Sequence, residues 1–160
     1  MNKMLKRKSR LQSLSTSSSL MDISVVYGDE KITFNLREEL IINENIINRE
    51  LKEQPSSYAF IAMLHKKLVR RSVDADKKAD RAFAKASIKF KTSVDTSTSR
   101  VTSKEVAKEQ AELDPIYIKL QKSASQAKEE ADIVYVAVRS FEQRQSLIQT
   151  ISANLRRENI

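Results

Sequence analysis

Cysteine is absent from the 160 residues. That excludes disulfides, thiolate metal sites and cysteine nucleophiles, and it fits a reducing compartment. Gly28 is the one glycine, so a glycine-rich phosphate loop is excluded as well. The single histidine, His65, sits beside Lys66 and Lys67, where an ordinary surface or edge role outweighs that of a catalytic base. No run of about 18 apolar residues exists, so no membrane span is expected. The opening "MNKMLKRKSRLQSLSTSSSL" has a basic head but no apolar core behind it. It is a poor secretory signal, and an amphipathic organelle-targeting peptide is the lesser alternative. There is no cluster spaced to hold zinc, and the four tyrosines show no basic or metal partner pattern. Asp74, Asp76 and Asp80 invite a metal or acid–base reading. Asp76 and Asp80, however, lie one helical turn apart and are flanked by Lys77, Lys78 and Arg81, so local ion pairs account for them better. The chain reads as non-enzymatic, with no cofactor and no metal.

What the chain does have is positive charge, a net +8, unevenly placed. Residues 1–14 carry five bases and no acid, whereas residues 15–55 carry four bases against eight acids. The stretch "HKKLVRRSVDADKKADRAFAKASIKFK", His65 to Lys91, holds ten bases and three acids, and residues 92–160 are balanced at ten each. Charge concentrated in one stretch points to a polyanionic partner more than a diffuse excess would.

The pattern of apolar residues predicts a mainly α-helical chain of one expected domain. Residues 1–19 read as a disordered basic and serine-rich tail. Residues 20–54 read as a small β-hairpin followed by a helix. Ile23, Val25 and Tyr27 alternate, "GDE" can turn, and Ile32, Phe34 and Leu36 alternate again. A helix from Leu36 to Gln54 follows, capped by Asn35 with Glu38 at the third position beyond, and Pro55 separates it from the next. Residues 55–160 read as a long antiparallel helical hairpin, coiled-coil-like. Its first arm, about Ser56 to Thr92, carries the stripe Tyr58, Ile61, Leu64, Leu68, Ser72, Ala75, Ala79, Phe83, Ala86 and Phe90. A hydroxyl-rich loop follows, and Thr102 with Glu105 makes a capping-box signal for the second arm. The seam of that arm is Val106, Leu113, Tyr117, Leu120, Ala124, Ala127, Ala131, Val134, Val138, Phe141, Gln145, Ile148, Ser152 and Leu155. Asp114–Pro115 allows the long helix to begin there, behind a short one. Ile116, Ile118, Ile133, Val136, Ala137, Leu147 and Ile151 widen the stripe beyond a two-stranded seam. A face that broad wants more than one neighbour, so a homo-oligomer is expected.

Steps of three and four place Lys67, Arg70, Arg71, Lys78, Arg81, Lys85 and Lys89 mostly off the apolar stripe, with Lys66, Lys77 and Lys91 at its margin. The result is a basic ridge of about 30 Å at 1.5 Å per residue, interrupted by Asp74. Such a row can neutralise several phosphates, with affinity falling steeply as salt rises. A solvated face that keeps a helix soluble is the bland alternative, and a membrane or acidic-protein surface the lesser one. Phe83 and Phe90 could stack on bases, but both fall on the core stripe. No helix-turn-helix, zinc finger or ribonucleoprotein aromatic motif is present, and the alanine-rich seam behind a loop argues against a basic zipper.

From roughly Ser56 to Arg157, the layout resembles the recombination mediator proteins of T4-like bacteriophages. The resemblance lies in "YAFIAMLHKKLVRR…ADKKADRAFAKASIKFK", a variable loop, and "LDPIYIKLQKSASQAKEEADIVYVAVRSFEQRQSLIQTI". The family's Lys-x-Arg pattern falls with its lysine on Lys85 and its arginine on Ser87, a departure for which Lys89 and Lys91 could supply the charge. The resemblance implies a small helical oligomer that binds single-stranded DNA. It would help load a RecA-like recombinase onto strands coated by a single-strand-binding protein, in the cytoplasm, or the host cytoplasm if phage-encoded. The tail bases Lys3, Lys6, Arg7, Lys8 and Arg10 would add a mobile phosphate grip. The competing class is a structural or scaffolding helical protein of a virion or similar assembly, which predicts assembly without salt-dependent DNA binding.

Overall fold

A computed structural model describes residues 21–92 and 102–158. The basic tail and most of the loop expected after Thr92 lie outside the described residues. The fold is mainly α-helical with a short N-terminal antiparallel β-hairpin. Strand β1, Asp22–Tyr27, pairs with β2, Glu30–Asn35, so that Tyr27 faces Glu30 across a two-residue turn. Such tight turns need a positive φ, and Gly28 supplies it at 63°. Ile23 and Val25 are buried as the alternation predicts, whereas Tyr27, at the turn, is exposed. Asn35 closes the hairpin by donating from Nδ2 to Asp22 Oδ1 at 2.6 Å. Its Oδ1 also accepts from the Glu38 amide at 3.1 Å, starting helix α1, Leu36–Leu40.

The predicted helix over Leu36–Gln54 is not continuous. It stops at Leu40, a 3₁₀ turn covers Glu44–Ile46, and α2 runs unbroken over Ile47–Thr92 with Pro55 inside it. The break therefore lies well before the one expected at Pro55. Its polar groups are satisfied where it occurs. Asn43 caps the 3₁₀ turn through Oδ1, its own amide donates to Glu50 Oε1 at 3.3 Å, and the Ile41 carbonyl accepts from Arg144 Nη2 at 3.1 Å. Pro55 has no N–H for the carbonyl four residues back, yet anchors on both sides hold the helix in line. Gln54 donates to the Phe141 carbonyl at 2.9 Å, and Tyr58 donates to Glu142 at 3.1 Å. That last bond also raises the Tyr58 phenol above its usual value, because the hydrogen bond to the carboxylate holds the proton on the phenol oxygen and the carboxylate charge opposes a second negative charge.

Further along the chain, α3 spans Lys104–Glu112 and α4 spans Pro115–Glu158, the alternative in which a short helix precedes the long one. The cap of α3 is Ser103, whose Oγ accepts from the Val106 amide at 3.3 Å. The cap thus lies one residue beyond the expected Thr102, and Val106, at the third position from it, has no side-chain acceptor to complete a box. The start of α4 is fixed by Asp114, whose Oδ1 accepts from the amides of Ile116 and Tyr117 at 2.9 and 3.1 Å.

The chain divides into two compact units, Met1–Phe60 with Val136–Ile160, and Ile61–Tyr135. In the first, the core gathers Ile23, Val25, Leu36, Ile47, Ala137, Val138, Phe141 and Ile148. Arg144 is also buried there, at 8% exposure. Its guanidinium reaches Glu50, Gln54 and the Ile41 carbonyl. The predicted seam had Gln145 at this point, but Gln145 is exposed and Arg144 takes the inward position. In the second unit, α2 and α4 pack antiparallel. His65 lies against Tyr135, Arg71 against Glu130 and Phe83 against Tyr117, one number falling as the other rises. Every residue of the predicted α2 stripe within this unit, Ile61 to Phe90, is buried or half-buried. On the facing side Ala124, Ala127, Ala131 and Val134 are buried, while Val106 and Leu113, placed on the seam, are exposed.

Two outcomes check this fold. Because α2 passes through Pro55, Pro55→Ala should stabilise the protein by up to about 3 kcal/mol and raise its melting temperature; an unchanged or lower one would put a break at that residue. Arg144→Met leaves Glu50 without its partner and should cost about 3–5 kcal/mol in a denaturant titration, whereas an unmoved midpoint would contradict the buried pairing.

Candidate nucleic-acid interface

The ten cations singled out from the sequence all lie on α2 within the Ile61–Tyr135 unit, and all ten are exposed. Their exposure follows from helix geometry. The stripe from Ile61 to Ala86 turns inward against α4, and at about 100° per residue the basic positions project to its flank or its back. Lys67, Arg71, Lys78, Arg81, Lys85 and Lys89 follow one another in steps of three, four and seven along one flank. Lys66, Arg70, Lys77 and Lys91 are exposed on the side of α2 turned further from α4.

Part of that flank borders a groove of about 480 Å³. Lys78, Arg81, Lys85 and Lys89 stand along its α2 wall, with Ala82 and Ala86 between them. Asp114, Ile116 and Leu120, from the start of α4, form the facing side. The cleft is thus cationic on one wall and largely apolar on the other. Ile116 is 66% exposed there, and Asp114 already spends one oxygen on capping α4. Phe83 and Tyr117, both half-buried and outside the groove lining, pack on each other with ring centroids 5.2 Å apart and planes tilted by 52°. The Lys89 ammonium lies 5.8 Å from the centre of the Phe90 ring.

Arg71, in this row, is held by a carboxylate. Its Nη1 meets Glu130 Oε2 at 2.8 Å, with both side chains partly open to water, and such a pair contributes about 0–1 kcal/mol. The ion pairs expected for Asp74, Asp76 and Asp80 do not form. Among the described residues none of the three comes within 4.0 Å of Lys77, Lys78 or Arg81, because all these side chains extend into solvent. Ser87, where the resembling family would place arginine, has its hydroxyl buried and without a hydrogen-bond partner. Residues two apart on a helix project about 200° from one another, so position 87 cannot share the flank of Lys85 and Lys89.

His65 is half-buried against Tyr135, with ring centroids 5.3 Å apart. Among the described residues no group of three or more His, Asp or Glu side chains is placed to hold a metal ion, and no helix is long and apolar enough to cross a membrane. The tail bases Lys3, Lys6, Arg7, Lys8 and Arg10 lie outside the described residues.

The cationic wall is legible in the sequence, whereas what faces it is not. By local pattern Ile116 belongs to a widened apolar stripe, Leu120 to the seam, and Asp114 is the residue before a helix start. The signal that joins them is the register of α4 on α2, which no local pattern carries. Compared with known proteins, the chain matches no family model, no curated protein and no solved structure.

Proposed function

We propose that this chain is a non-enzymatic single-stranded DNA-binding protein that acts as a recombination mediator. The observation that carries the reading is the row of ten exposed cations on α2, four of which border a groove with an apolar facing side. From Lys78 to Lys89 the row extends about 16 Å at 1.5 Å per residue, a length over which a strand carries several phosphates. Each phosphate neutralised releases a condensed counterion, so binding is driven in large part by entropy and weakens with salt.

The mediator role rests on the resemblance of the sequence layout to the phage family. A homo-oligomer would display several such rows, and a strand engaging more than one would bind far more tightly than one row alone. The held strand would shed its coating protein and present its backbone to a RecA-like recombinase. Exposed apolar side chains support assembly. Ile88, Leu113, Ile118 and Ile133 are open in the Ile61–Tyr135 unit, and Phe60, Val136 and Leu147 are open in the other. The same residues favour the second reading, a scaffolding helical protein that assembles without gripping DNA.

Anisotropy titrations with labelled single-stranded and duplex oligonucleotides at two salt concentrations separate the two readings. The wild-type protein should prefer the single strand and lose affinity steeply with salt. A Lys85→Ala/Lys89→Ala/Lys91→Ala variant should bind more weakly, with a logarithmic salt slope shallower by about 2, at ~0.7 for each phosphate no longer neutralised. Equal weak binding to both forms, unchanged in the variant, would favour the scaffold.

A further inference from the structure

Resting on the reading as a single-stranded DNA binder, we propose that the groove beside Lys85 is a base-receiving slot, which selects unpaired strands by taking a base against Ile116 while the α2 cations hold the adjoining phosphates. The two sides of the groove differ in kind. On α2, Lys78, Arg81, Lys85 and Lys89 alternate with Ala82 and Ala86. Those alanine methyls leave room between the long cationic side chains. On α4, the lining is Ile116 and Leu120, with the Asp114 carboxylate beside them.

This asymmetry fixes how a nucleotide enters. Phosphate is attracted to the α2 wall and repelled from Asp114. The base, uncharged and flat, is the part left to reach across to α4. Ile116 is two-thirds exposed at a helix start, where it has little packing to lose and apolar surface to cover. A volume of about 480 Å³ falls within the range of sites that accept small organic groups. Among the described residues no aromatic ring lines the slot, so base contact here is aliphatic and tolerant of sequence. Duplex DNA presents phosphates outward and keeps its base faces stacked. It would reach the cations and leave Ile116 uncovered. Discrimination against duplex then comes from the apolar side, and the salt-dependent part of the affinity from the cations.

Binding of full-length protein to a thymidine oligonucleotide and to an abasic strand of equal length tests the slot. The wild-type protein should hold the thymidine strand more tightly. Ile116→Ser should lower thymidine affinity about fivefold, the order expected when part of one aliphatic side chain is covered by a base, toward the abasic value. It should leave abasic affinity and the salt slope unchanged. Met63→Ser, at an exposed apolar residue of α2 outside the groove lining, should change neither. Equal, salt-dependent wild-type affinity for both strands overturns the slot and leaves the DNA-binding reading standing, and no wild-type binding to either overturns both. A change of oligomeric state in Ile116→Ser, with the wild-type thymidine preference retained in full, would assign Ile116 to a contact between copies and also overturn the slot.

Discussion

Everything at the candidate interface depends on the antiparallel packing of α2 on α4 through small side chains. Ala79 and Ala86 are buried on α2, and Ala124, Ala127 and Ala131 on α4. Alanine spends little side-chain entropy on burial and keeps the contact between helices narrow. A narrow contact leaves the long lysine and arginine side chains outside it, along the rim. It also brings the capped start of α4 next to Lys85 and Lys89. Larger residues on the stripe would push the helices apart and widen the groove.

The row of cations carries its own electrostatic cost. Like charges one or two turns apart on a helix repel, and water and salt reduce that repulsion over about 8 Å at physiological ionic strength. Arg71 meets a carboxylate from the facing helix. Asp74, Asp76 and Asp80 lower the local net charge without forming close pairs. A bound polyanion would relieve this repulsion, and relief of repulsion adds to the attraction itself. The arrangement contrasts with Arg144, whose charge is buried and met by Glu50, Gln54 and a backbone carbonyl. That arginine is part of the architecture of its unit, while Lys78, Arg81, Lys85 and Lys89 stand exposed along a groove.

The sequence made the α2 stripe and the exposed row legible because both follow helical periodicity, which is local. Leu68 and Ala79 could be placed inward, and Lys85 and Lys89 outward, from spacing alone. The failures share a cause. With an intrinsic cost of about 3 kcal/mol inside a helix, Pro55 signals a break. The residues that hold the helix through it, Phe141 and Glu142, lie more than 80 positions away in the chain. Gln145 was placed on the seam where Arg144 belongs, although Arg144 sits at the same three-and-four spacing between Phe141 and Ile148. Nothing local marks this charged side chain as inward, because its partners, Glu50 and Gln54, are equally distant. The facing side of the groove went unrecognised for the same reason. Ile116 and Asp114 acquire their relation to Lys85 only through the register between helices.

A lysine-acylation footprint, read residue by residue by mass spectrometry on the full-length protein, tests the central claim most directly. Lys78, Lys85 and Lys89 should react readily in the free protein and become protected when a single-stranded oligonucleotide is added. Lys122 and Lys128, exposed on α4 and outside the groove lining, should react alike in both conditions. Groove lysines that are unreactive in the free protein, or equally reactive with and without the strand, would contradict the account.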